Sequence, residues 1–249
     1  MHSSNIQQKV KEAMVGACED MLTFTDDPSR KFNAEYLFTV NVAKAITRLN
    51  CSHADPYKLF LELSTKKFTR DCLRPLVLGH PLKRGSTVFR RGTPKINRNG
   101  RIDIAVYVDE PNRNNFGAQP LCAIELKAFN PQRKFVLYDL MRNIEYFRIA
   151  GNTGSSVLNF SLFAALHSFL RPADEKQVQN NEFQVKKQYE KWILDLDNTD
   201  DVNVNIDVFT VSKELLGRVV DEGECQILDT DACHHFVGVI ICFSKKSDL

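Results

Sequence analysis

The chain has 249 residues, 43% of them apolar and 26% charged, with 33 Lys and Arg against 31 Asp and Glu. This is the composition of an ordinary folded protein; it excludes a disordered polyelectrolyte, a collagen-like fibre and a small disulfide-stapled scaffold. A formal net charge of +2 excludes a general polycation, so any affinity for a polyanion must come from where the charges lie.

Their distribution is uneven. Between Cys72 and Ile102 there is no acidic residue, while Arg74, Lys83, Arg84, Arg90, Arg91, Lys95, Arg98 and Arg101 are basic. Between Asp195 and Asp231 acids far outnumber the two bases, Lys213 and Arg218. The basic stretch reads either as a positive surface for a polyanion or as solvated loops that carry no function. Seven cysteines are scattered without a C-x-x-C spacing, which predicts free thiols and a reducing, cytoplasmic setting. In Cys233-His234-His235, strand neighbours point to opposite faces, so no zinc site is expected. The opening MHSSNIQQKV lacks a signal-peptide core, and the apolar run Phe236 to Phe243 is too short to span a bilayer. No membrane partner is expected.

Taken in order, Asn5 to Phe24 reads as a helix with Val10, Met14, Ala17 and Met21 at helical spacing. Asp26, Asp27 and Pro28 end it. A second helix runs from about Phe32 to Leu49, with Glu35 in its first turn, where a carboxylate complements the helix dipole. Pro56 to Lys66 reads as a third helix and Thr69 to Leu73 as a short fourth or a turn. Ser86 to Arg91 is a predicted strand, and the Gly-, Pro- and Asn-rich stretch 92–100 is a turn. Strands follow at Arg101 to Val108 and at Leu121 to Phe129, separated by a long polar loop. Lys134 to Ile149 is predicted as a helix on which Asp139, Arg142 and Tyr146 share one face. A turn from Gly151 to Ser156 leads to a long apolar strand, Val157 to Phe169, placed centrally. An amphipathic helix from Ala173 to Leu194 is followed by strands at Val202 to Val211, Gln226 to Leu228 and His235 to Ser244. The stretch Asp195 to Asp201 lacks the Gly and the closing Glu of a calcium loop and reads as a turn. The order predicts a single α/β domain over 1–249, a mixed β-sheet flanked by helices with N-terminal helices before it and a C-terminal α/β elaboration.

Two strands carry acids where a buried strand should have none. In RIDIAVYV, Asp103 shares a face with Ala105 and Tyr107; in LCAIELKAF, Glu125 and Lys127 share the other strand's face. Paired as a hairpin, the strands bring Asp103, Glu125 and Lys127 together at one end of the sheet. Carboxylates in such a desolvated corner need a partner, and a hard divalent cation is a natural one. Asp174-Glu175-Lys176 has similar spacing but lies at a polar helix start.

An Asp on one strand followed by Glu-x-Lys on the next resembles the PD-(D/E)xK nuclease superfamily, with Ile102 standing where the nominal pattern has Pro. The resemblance covers about residues 32–170 and leaves 171–249 as elaboration. It implies a restriction-endonuclease-like core and a Mg²⁺-dependent endonuclease acting on DNA in preference to RNA, in restriction or anti-phage defence, with Mn²⁺ able to substitute. Asp103, Glu125, the Leu126 carbonyl and Glu35 would hold the metal. Lys127 would hold the attacking water. Glu35 thus has two readings, metal ligand or simple complement of its helix terminus. Arg84, Arg90, Arg91, Lys95, Arg98 and Arg101 would grip phosphates, which gives affinity without sequence information. Arg142 is assigned a phosphate contact, against the alternative of a surface pair with Asp139. A catalytically idle nucleic-acid-binding module of the same fold, or an interaction scaffold docking a basic partner on its acidic third, are the competing readings. Action as a monomer, as a homodimer or with a partner subunit is left open.

Overall fold

The computed structural model describes residues 2–25, 34–50, 56–74, 76–78, 87–89, 92–109, 118–170, 174–196 and 198–246. Among them, helices α1 (His2–Thr25) and α2 (Ala34–Thr47) precede strand β1 (Tyr57–Ser64), helix α3 (Thr65–Asp71) and the short strands β2 (Leu76–Leu78) and β3 (Thr87–Phe89). Strands β4 (Arg101–Val108) and β5 (Gln119–Lys127) lead to helix α4 (Arg133–Arg148) and a two-residue ladder, β6 (Ala150–Gly151) with β7 (Gly154–Ser155). Strand β8 (Phe160–Leu170), helix α5 (Glu175–Leu194) and the long strands β9 (Val202–Glu222) and β10 (Cys225–Lys245) complete the order.

The main sheet runs β1-β4-β5-β8-β10-β9. Only β5 and β8 are parallel, joined through α4; every other neighbour pair is antiparallel. The molecule is thus α/β, a mixed and mostly antiparallel sheet with helices on both faces. Strand alternation sorts the side chains into two layers. Ile104, Val106, Cys122, Ile124, Leu126, Leu162 and Ala164 pack against Val10, Met14 and Met21 of α1 and Phe38, Val42 and Ile46 of α2. Ala105, Tyr107, Ala123, Phe163, Val239 and Ile241 pack against Phe68 of α3, Val136, Leu140 and Phe147 of α4, and Val185, Tyr189 and Trp192 of α5. Strands β5 and β8, buried on both faces, read as near-continuous apolar runs.

The helix expected over Pro56 to Lys66 is corrected: Tyr57–Ser64 is the edge strand β1, antiparallel to β4 from Tyr57↔Val108 to Ser64↔Arg101. Leu, Lys and Glu favour a helix locally, but Tyr57, Leu59, Leu61 and Leu63 alternate. The free edge of β4 supplies the ladder that decides the matter. The C-terminal strands are also longer than expected. Instead of three short pieces there is one hairpin of two 21-residue strands, turning at Gly223, whose φ of +67° disfavours a side chain. Beyond His234, where pairing with β8 ends, it continues as a two-stranded ribbon. Acidic residues there read as breaks, yet backbone pairing tolerates them. Of the long loop expected between the two motif strands, 110–117 lie outside the described residues.

Several smaller expectations can be placed. Asp174 caps α5, accepting from Gln177 N at 2.8 Å. Asp195 and Asp201 pair with Arg133 and Arg148 of α4, each at 2.6 Å. His234 sits 3.0 Å from the Gly217 carbonyl, while the His235 ring meets Asn181 and Thr210 on α5 and β9. The six described cysteines are free thiols. Among the described residues no helix is long and apolar enough to cross a membrane.

His167 of β8 is buried beneath α5, its Nε2 3.1 Å from the Tyr189 hydroxyl, and burial pushes its pKa down to about 4. The folded state therefore resists a proton that the unfolded chain accepts near pH 6.5. Stability is full above pH 6.5 and falls by up to about 3 kcal/mol as the pH drops toward 4. Urea unfolding across that range should show this slope in the wild type and a flatter one in His167→Gln.

Candidate active site

The β4–β5 ladder ends at Ile104↔Ile124. One residue further on, the strands diverge and the Asp103 side chain fills the gap, Oδ2 accepting the Leu126 N–H at 2.6 Å. The irregularity is shared by β1. Glu62, opposite Asp103, has a φ of +52° and is skipped between the pairs Leu61↔Ile104 and Leu63↔Ile102. A left-handed non-glycine residue inside a strand is strained, and such strain gathers at functional sites. The strict alternation expected for β4 breaks here: Ile102 packs in the same layer as Ala105 and Tyr107. Asp103 is thereby left at the strand end with its carboxylate aimed across at β5.

Glu125 lies one position before Leu126 and points from β5 toward α4. It is 0% exposed. Arg142 Nε donates to Glu125 Oε1 at 2.9 Å, and Arg142 Nη2 lies 2.6 Å from Oε2. Arg142 Nη2 also donates to Asp139 Oδ1, 2.8 Å away, so Oε2 is held by a close ionic contact. Lys127 ends β5, where the helical layers come within reach of each other around the sheet end. Its Nζ is 3.1 Å from Glu35 Oε1 on α2 and 3.3 Å from Asp139 Oδ2 on α4, and it donates to the Leu126 carbonyl at 3.0 Å.

The electrostatics follow from burial. Desolvation pushes the Asp103 carboxyl up to about 6, against the pull of the Leu126 N–H and Lys127. Desolvation likewise lifts Glu125 and Asp139, with the neighbouring cations offsetting part of the rise. Burial works against the charge of Lys127, but Asp139, Glu35 and Asp103 together hold its ammonium above the ordinary range. Arg142 is held charged in the same way by Glu125 and Asp139. The pair Glu125–Arg142 is pulled in opposite senses. Its geometry, with each carboxylate oxygen against a guanidinium nitrogen, is that of an ion pair, and we take Glu125 as ionised.

The structure therefore brings Asp103, Glu125, Leu126, Lys127 and Glu35 together. Arg142 stands in the same cluster, buried between Glu125 and Asp139 and 5.5 Å from the Tyr138 ring centre. It is neither open to a phosphate nor part of a surface pair with Asp139, which is itself buried. Gly100 closes over it: a Cβ there would meet Arg142 Nη1 at 3.0 Å. Asp139 was placed by spacing on the Arg142 face but not assigned to the site; the i, i+3 pairing was the available signal. Tyr146, also on that face, buries a hydroxyl without a hydrogen bond.

The expected phosphate grip is divided. Arg101 and Lys95 are exposed. Arg98 turns onto another face of α4, 3.6 Å from Glu145 and 3.3 Å from the Met141 sulfur. There Lys95, Arg98, Arg148 and Glu145 rim a groove of about 710 Å³ floored by Met141, Ile144 and Ile149. Arg84, Arg90 and Arg91 lie outside the described residues.

No protein-family model, no curated protein and no solved structure matches this chain.

Among the described residues no three His, Cys, Asp or Glu side chains stand grouped to hold a metal ion. In this arrangement Arg142 bridges Glu125 and Asp139 and Lys127 bridges Asp139 and Glu35, while Asp103 is held by the Leu126 N–H, instead of all converging on one point. The donor chemistry still fits a hard divalent cation. Asp103, Glu125, Glu35 and the Leu126 carbonyl are all hard oxygen donors, and among the described residues Asp103 forms no ion pair, its carboxylate accepting only the Leu126 N–H. Arg142→Met should leave Glu125 buried beside Asp139 with no counter-ion, at a cost of about 3–5 kcal/mol near pH 8. Because an unpaired Glu125 resists ionisation, the penalty should shrink as the pH falls toward 4.5, where the unfolded chain also holds the proton. Chemical denaturation at the two pH values checks both points.

Proposed function

We propose that this chain is a Mg²⁺-dependent endonuclease of the PD-(D/E)xK type, with a restriction-endonuclease-like core, that hydrolyses phosphodiester bonds of DNA. The observation that carries this reading is the convergence of Asp103, Glu125 and Lys127 from adjacent strands at one end of the sheet, with Glu35 reaching in from α2. Asp103, Glu125, the Leu126 carbonyl and Glu35 are the groups that would hold Mg²⁺ or Mn²⁺. When bound, the ion would supply Lewis-acid stabilisation of phosphoryl charge and a more acidic water.

The chain's own residues do the rest. Lys127 is held charged by its acidic neighbours, so it is no general base. It acts as an ammonium that positions the attacking water by hydrogen bonding, favours its hydroxide form and faces the negative charge that grows on phosphate. Asp139 and Glu35 hold that ammonium in place. Arg101 at the start of β4 and Lys95 on the preceding loop are exposed cations available to backbone phosphates. Preference for DNA, and a role in restriction or anti-phage defence, rest on the family resemblance.

A second reading has its own observation. Arg142 and Lys127 already link Glu125, Asp139 and Glu35 into one chain of ion pairs, as in an idle nucleic-acid-binding module. The two separate on one experiment. Purified protein with Mg²⁺ or Mn²⁺ should nick or cut plasmid DNA on a gel, and Asp103→Ala or Lys127→Ala should abolish the cutting. Cleavage by both variants at the wild-type rate would sink the endonuclease. Salt-sensitive DNA binding with no divalent-dependent cleavage would leave the idle module.

A further inference from the structure

The seat of Arg142 is the feature that the proposed chemistry leaves unused. Its guanidinium lies against both oxygens of Glu125, the most buried carboxylate of the cluster. It is also bonded at 2.8 Å to Asp139, one helical turn away on its own helix. A Cβ at Gly100 would crowd its Nη1 at 3.0 Å, and the Tyr138 ring lies 5.5 Å from its centre. Arg142 occupies both Glu125 oxygens, so a divalent ion can coordinate Glu125 only by displacing a guanidinium nitrogen from at least one of them. An arriving divalent ion and Arg142 therefore contend for the same oxygens. Asp139 gives the displaced guanidinium a second anion already within hydrogen-bond distance, so leaving Glu125 forfeits the Nε bond but not the charge pairing.

We propose that Arg142 is a resident counter-ion of Glu125 that competes with the divalent cation, with Asp139 as its alternative seat. Resting on the metal reading above, this makes Arg142 a positioning residue that keeps the site closed until a metal arrives. The apparent metal affinity is then lowered by the fraction of molecules in which Glu125 is taken.

The test uses the whole chain. Mg²⁺ is titrated into ¹⁵N-labelled wild-type protein while the side-chain Nε–H resonance of Arg142, assigned by its loss in Arg142→Lys, is followed. The expected result is that the hydrogen-bonded resonance disappears or shifts in step with saturation. In parallel, Mn²⁺ binding is measured by calorimetry. Arg142→Gln should bind at least about tenfold more tightly than wild type, the competitor having been removed. If Mn²⁺ and Mg²⁺ bind while the Nε–H resonance stays unchanged and Arg142→Gln binds within twofold of wild type, the competition is overturned and the metal reading stands. If neither protein binds either ion, the metal reading itself fails and the competition falls with it. Should Arg142→Gln fail to fold, the wild-type titration decides alone.

Discussion

A carboxylate in the middle of a fully buried strand is the constraint around which this molecule is arranged. Glu125 sits between Ile124 and Leu126, all of them buried, where an unpaired charge would cost several kcal/mol. The fold meets that cost with one residue, Arg142, carried on the helix that crosses from β5 to β8. The parallel pairing of β5 and β8 requires such a crossover. The same connection that closes the sheet thus delivers the counter-ion. Asp139, one turn earlier, shares the guanidinium and reaches Lys127, so four residues of the strand–helix unit hold one another.

The site exists because β4 and β5 part company at the right residue. Had the ladder continued past Ile104, the Leu126 N–H would bond to backbone and Asp103 would follow the regular pleat. Instead the ladder stops, Glu62 on the neighbouring strand takes a left-handed conformation, and the Asp103 carboxylate replaces the missing carbonyl. This irregularity puts acids from two strands within electrostatic range of each other. Lys127, at the end of β5, is long enough to reach around the edge of the sheet. It ties the first turn of α2 to α4, and so connects the helical layers on opposite faces through one ammonium.

Much of this was legible in the residues. The apolar runs of β4, β5 and β8, the 3.6-residue spacing of α1, α4 and α5, and the misplaced acids of the motif strands all depend on local periodicity. The grouping of Asp103, Glu125 and Lys127 needed only the assumption that consecutive strands pair. Glu35 came from the family resemblance, which implies an acid on the helix before the sheet. Less legible was the edge strand β1, because Tyr57–Ser64 has helix-favouring residues and becomes a strand only through pairing with β4. The second half of the β9–β10 hairpin was equally obscure, since acidic residues interrupt its apolar ones and its order comes from backbone ladders. Arg142 was the most instructive departure. Spacing put it on the same helical face as Asp139, but only depth in the fold shows that a carboxylate, and not solvent or phosphate, receives it.

By itself the sequence determined which segments are apolar enough to be core, the side on which residues of the regular strands and helices project, and hence the acids and the lysine that gather at one end of the sheet. Those properties are local, set by backbone geometry and side-chain chemistry. The tertiary structure alone decided which charges are paired with which, how deeply each is buried, and that Glu35, Asp139 and Glu125 are linked in one chain through Lys127 and Arg142. Pairing and burial depend on contacts between residues far apart in the chain, and in a desolvated interior those contacts, more than residue identity, fix what a charged group can do.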